Sequence, residues 1–229
     1  MNARLNSSIR SPVRSAETAA SQRSASLVGG VALALMAVLA GFGAVGAIEP
    51  LISLGDAEAT AAAILGSELL FRVGIACLIL VTILDVIVSA ALFTLFEPVN
   101  RGLSMTAAWF RLAYTAVFLV GILHLPIAVA HLGEPVEALR AIEDFYTIWY
   151  IGLIFFAIHL CLIGYLAFAS GFMAKVFGIL LVLAGIGYAV DGFGVVLIPG
   201  FETFLGQFLF VGEVALIFWL LIKGRRLAT

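Results

Sequence analysis

Charge is scarce in this sequence. Asp, Glu, Lys and Arg make up 11% of its 229 residues, against about 25% in soluble domains. A chain that is 63% hydrophobic has more apolar surface than a soluble core of this size can bury, whereas lipid as outer solvent removes that demand. The net charge is −2, and the charges sit at the ends of apolar stretches, which leaves no basic groove and excludes nucleic acid as a partner. Cysteine is scarce too. Cys77 and Cys161 fall in different apolar segments at different expected depths, so no disulfide is expected between them and they do not report a redox compartment. The P-loop G-x-x-x-x-G-K-[ST], G-x-S-x-G, H-E-x-x-H and paired C-x-x-C are all missing. That excludes the familiar phosphate-loop, hydrolase and metalloprotease sites, but not an intramembrane enzyme whose residues meet only in space.

Six long apolar runs are present: Leu27–Ile48, Val73–Phe96, Met105–Ala130, Tyr146–Ala169, Val176–Pro199 and Phe204–Ile222. Each reaches or approaches the ~20 residues a helix needs to cross a bilayer. The expected fold is therefore an all-α integral membrane protein, a six-transmembrane-helix bundle over 26–226, preceded by a disordered basic tail over 1–25. The tail is rich in Ser and Arg; an organelle transit peptide is the competing reading. With the N-terminus in the cytoplasm, Arg4, Arg10, Arg14, Arg23, Arg101, Lys175, Lys223, Arg225 and Arg226 lie inside and only Arg72 and Arg140 outside, nine against two. Positive-inside bias then makes both termini cytoplasmic.

Two outer loops read as helical. Asp56 is a candidate N-cap of the first, and in the second Pro135 opens the helix and Arg140 can pair with Glu137 or Asp144. Phe145, Tyr146, Trp149 and Tyr150 read as an outer aromatic belt, and Trp109, Phe110 and Trp219 as an inner one.

Few ionisable residues lie within the runs. Asp85 shares a helix face with Thr82 and Ser89, and at ~1.5 Å per residue it stands about 16 Å from the inner boundary. A carboxylate there needs a partner or a proton. Arg111, at roughly 9–10 Å, is the natural partner, with Tyr114 and Thr115 on its face. His159 and Glu213 come out at about 15 and 14 Å. Asp85, Arg111, His159 and Glu213 are thus expected to converge on one inner-half site. The bland alternative is a helix-linking ion pair, with His159 bonded to a carbonyl. A second, outer set is His124, Tyr188 and Asp191, in which Tyr188 and Asp191 read as a helix-end hydrogen bond. Haem would need facing histidines at one depth, and His124 and His159 differ in depth, so no cofactor and no metal are expected. Gly178, Gly185, Gly187, Gly192 and Gly194 read as small residues that let helices approach closely in lipid.

Taken together, "SELLFRVGI", Asp85 in its helix, "EPVNRGLSMTAAWFRL" and "HLCLIGYLAFASGFMAKVFGILLVLAGIGYAVD" resemble a bacterial membrane family, the domain of unknown function 4386, over most of the chain after the tail. The resemblance implies a bacterial inner-membrane helical bundle and carries no activity or functional residues. It sets aside the transit peptide. The function expected first is a non-enzymatic ligand-binding or accessory component with membrane lipids around it, a small or amphipathic ligand, and a second copy or larger membrane complex as partner classes. A small proton-coupled transporter and an intramembrane lipid- or quinone-acting enzyme are the alternatives.

Overall fold

The computed structural model describes residues 3–201, 203 and 211–226. Among them there are helices and no strand. Helix α1 runs Ala3–Ala40 and continues as a wide-wound π segment, Gly41–Ile48, and a short turn, Glu49–Leu51. Then come α2 (Ala57–Gly66), α3 (Glu68–Phe96), α4 (Arg101–Ile122), α5 (His124–Ala130), α6 (Pro135–Ala169), α7 (Lys175–Leu197) and α8 (Val211–Ile222). Five spans among the described residues are long and apolar enough to cross a membrane: Thr18–Leu51, Glu68–Phe96, Arg101–Ala130, Pro135–Ala169 and Lys175–Leu197. This is the architecture of a multi-pass membrane protein.

The expected sixth run, Phe204–Ile222, is described only over Val211–Ile222, with residues 204–210 outside the described set. At the other end, α1 takes in most of the stretch set apart as a tail, and packing reaches into it: Gln22 Nε2 donates to the Leu95 carbonyl at 2.8 Å. Ser26 Oγ donates to the Leu220 carbonyl at 3.0 Å, which ties α1 to α8.

The third run is divided. α4 stops at Ile122 and α5 begins at His124. Pro126 explains it, since proline offers no N–H to the carbonyl of Ile122 four residues back and its ring crowds that oxygen. The start of α6 behaves differently from a surface helix. Pro135 opens it at a first-turn position and the helix then runs unbroken for 35 residues into the fourth span. Arg140 Nη1 donates to Glu137 at 2.9 Å on the exposed side. Asp56 caps α2, its Oδ1 accepting from Ala59 N at 2.9 Å. Asn100 does the same for α4, accepting from Leu103 N at 3.0 Å. Asn100→Ala is therefore expected to lower stability by about 1 kcal/mol, to be read from the midpoint of a denaturant titration of the protein in bicelles.

α6 packs against α7 through glycines placed on both sides of an antiparallel seam. A Cβ added at Gly178 would lie 2.5 Å from the Gly164 carbonyl oxygen, one at Gly185 2.7 Å from that of Ala157, and one at Gly192 2.8 Å from that of Tyr150. The contact positions on each helix step by seven residues, the spacing of a left-handed helix pair. Such close approach supplies dispersion contacts where lipid offers no hydrophobic drive. α1 and α3 meet in the same way at Gly43 and Gly74, where a Cβ on Gly74 would stand 2.9 Å from the Gly43 oxygen.

The aromatic residues read as belts also take part in packing. Phe145 is 2% exposed, and Phe118, Phe145, Trp149 and Tyr150 form a chain of ring contacts running into the bundle. Trp219 is also buried, against Phe172. Trp149 is half-buried and its Nε1 donates to the Tyr114 hydroxyl at 3.3 Å, while Tyr146 and Tyr150 stay partly exposed. Trp109 remains exposed.

Candidate functional site

The face of α3 that carries Thr82, Asp85 and Ser89 is buried, as a polar stripe in lipid must be. Thr82 Oγ1 donates to its own helix at the Ile79 carbonyl, 2.7 Å away, and Ser89 Oγ reaches across to the Ala108 carbonyl of α4 at 3.1 Å. Between them, Asp85 meets Arg111. Arg111 Nε donates to Asp85 Oδ1 at 2.8 Å, and Nη2 donates to the same oxygen. The other carboxylate oxygen, Oδ2, accepts from the Thr115 hydroxyl. Asp85 is 2% and Arg111 3% exposed, so this is a fully buried ion pair whose acceptors are satisfied from one helix, α4. The Phe156 ring covers the guanidinium with its centroid 5.4 Å from Cζ.

His159 completes the group from α6. Its Nδ1 lies 2.8 Å from the Ala107 carbonyl, and its Nε2 lies 3.1 Å from Arg111 Nη1. A carbonyl only accepts and a guanidinium only donates. The ring must therefore carry its proton on Nδ1 and offer the Nε2 lone pair to Arg111, which is the neutral tautomer. Both ring nitrogens are engaged in this arrangement.

Glu213 does not join these contacts directly. It accepts from the Tyr188 hydroxyl at 2.8 Å. It does reach the same space: one cavity of about 290 Å³ is bounded by Asp85 and Arg111 on one side and by Tyr188 and Glu213 on another, with apolar walls from α1 and aromatic walls from α4 and α6. Asp85, Arg111 and His159 are thus in contact, and Glu213 faces the first two across the cavity.

Of the outer set, Tyr188 and Asp191 lie on α7 within electrostatic reach of each other. The Tyr188 hydroxyl donates to Glu213. His124 Nδ1 donates to the Val120 carbonyl one turn back, at 3.2 Å. Asp191 is buried on α7 at 2% exposure. Among the described residues, no group of three or more His, Cys, Asp or Glu side chains is arranged to hold a metal ion.

Three participants are not singled out by the sequence. Phe156 lies three residues before His159 and so shares its helix face, which is the available signal. Thr115 falls on the Arg111 face, but its bond to Asp85 leaves no mark in the spacing. Trp149 reads as a headgroup residue, and nothing in its spacing marks it as a cavity wall.

The family described as a domain of unknown function, 4386, matches residues 28–224, and the chain belongs to that family. A relative, an uncharacterized protein of Archaeoglobus fulgidus, is 39% identical over 152 residues, which is 65% of this chain and 82% of the relative. No solved structure matches the chain.

Proposed function

We propose that this family member crosses the cytoplasmic membrane, the inner membrane in a bacterium, six times with both termini in the cytoplasm. Within it the protein holds a small or amphipathic molecule between its helices without transforming it. The distribution of Lys and Arg supports the orientation. The observation that carries the binding reading is the 290 Å³ cavity, apolar over most of its lining with Arg111, Asp85, Tyr188 and Glu213 converging on it. Predominantly apolar walls with a few fixed polar groups are what small-molecule sites have in common. The buried ion pair would fix the helices around the ligand and orient its polar end.

A small proton-coupled transporter is the second reading, favoured by two carboxylates from different helices, Asp85 and Glu213, on one cavity. An enzyme using His159 as its base has less support, since Ala107 and Arg111 occupy both ring nitrogens.

The test fills the cavity without touching its polar groups. Ala37 on α1 lines it, and Ala37→Phe would occupy it. Native mass spectrometry of the protein released from nanodiscs should show a co-purified non-covalent mass in the wild type that is absent in Ala37→Phe. A wild type with no such mass, or an adduct the substitution leaves in place, would refute the binding reading.

A further inference from the structure

We infer that the cavity takes a small organic ammonium ion, admitted in exchange for a proton on Glu213. This rests on the ligand-holding reading above and names its chemical class.

The charges around the cavity do not balance. Arg111 is answered by Asp85, and its third bond goes to the neutral ring of His159. Glu213, on the α8 wall, accepts from the Tyr188 hydroxyl, and among the described residues no Lys or Arg forms an ion pair with it. A carboxyl group inside a bilayer bundle carries a proton or meets a cation.

The groups facing Glu213 are Tyr188 of α7, Tyr114 and Arg111 of α4, and Asp85 of α3. Asp191 of α7 acts electrostatically on Tyr188, and His159 of α6 bonds to Arg111. α1 presents apolar side chains, among them Leu33 and Met36. With the Asp85–Arg111 pair neutral as a unit, an ionised Glu213 leaves the cavity one negative charge, which one monovalent cation completes.

The walls select the kind of cation. Tyr114, Phe118, Trp149, Phe156 and Tyr188 surround the space, and aromatic faces attract alkylammonium groups. A hard metal ion would want about six oxygens, and this lining offers the Glu213 carboxylate, an Asp85 carboxylate already held by Arg111 and Thr115, and a few hydroxyls. An anion would have to draw Arg111 from a carboxylate that already engages it twice.

A second, wider depression of about 1150 Å³ carries Glu49 and Glu143 with Tyr146 and Tyr150. The stacked neighbours Trp149 and Tyr150, 5.9 Å apart, line one cavity each. An acidic approach to an aromatic site concentrates cations. On binding, the Glu213 carboxyl gives its proton to water and the ammonium ion takes its place beside the carboxylate, so one positive charge enters as one leaves.

The test uses the full chain in nanodiscs, titrated calorimetrically with choline and with its neutral carbon isostere, in which carbon replaces the charged nitrogen. Choline should bind at least tenfold tighter than the isostere, and its affinity should rise about tenfold per pH unit while Glu213 is protonated, with one proton released per ion. Glu213→Gln should abolish the preference and the pH dependence, and Glu213→Asp, which keeps the charge, should retain both. Equal binding of cation and isostere, both lost in Ala37→Phe, would overturn the ammonium class and leave the cavity reading standing. Binding of neither compound would overturn the ammonium class and count against the cavity reading as well.

Discussion

Replacing Arg111 with Gln should cost the folded bundle about 3–5 kcal/mol, and replacing Asp85 with Asn in the same molecule should return most of it. The reason is the asymmetry of a buried pair. Arg111 supplies two of the three side-chain donors that satisfy Asp85, and both partners are out of solvent. Removing the guanidinium alone leaves a carboxylate with the Thr115 hydroxyl as its remaining side-chain donor, in a setting where an uncompensated charge is expensive. In the double variant two uncharged amides face each other and can bond across the same gap, so no charge is stranded. Unfolding by denaturing detergent in bicelles, on the two single variants and the double, gives the coupling directly. Single variants that fall within 0.5 kcal/mol of wild type (about the scatter of neutral substitutions) would show that the pair contributes little to holding α3 against α4.

The second large effect is expected from one methyl group. Gly178→Ala adds a Cβ 2.5 Å from the Gly164 oxygen and 2.8 Å from the Phe168 nitrogen, both backbone atoms that no rotamer change can move. In a free helix the same substitution would gain up to ~1 kcal/mol. Here α6 and α7 must part, and the loss should be about 3 kcal/mol, the upper end for overpacking. Gly41→Ala is the control, because nothing lies within 4 Å of its added Cβ. It should be neutral or stabilising in the same bicelle titration. Equal stability of the two variants would mean that the seam yields without cost.

The positions of Asp85, Arg111 and His159 are legible in the sequence because a helix converts residue number into depth. Counting ~1.5 Å per residue from the charged ends puts them within one side chain's reach of each other, and burial in lipid requires that they meet. Depth alone does not fix direction around or along a helix, which is why the bond from Tyr188 to Glu213 is not read from the sequence. Helical side chains lean toward their own N-terminus. α7 begins at Lys175, so Tyr188 tips back toward that end and reaches Glu213. The seam glycines are visible as small residues, but their carbonyl partners on α6 depend on how the two helices align. The cavity-lining role of Trp149 is not read from the sequence because a ring's amphipathic edge suits a headgroup layer and a cavity wall equally well. The break at Leu123 is signalled by Pro126 and hidden by continuous hydropathy, which does not register a lost N–H.

Helix α6 has a further consequence. Its 35 residues make a rod of about 52 Å, against a hydrocarbon layer of about 30 Å. The excess is about four turns, and the first of them keeps Glu137 and Arg140 exposed while burying Ala138 and Ile142 against residues of α2 and α5. The same unbroken helix goes on to carry His159 to Arg111, so the layer under the outer caps and the buried ion pair share one backbone.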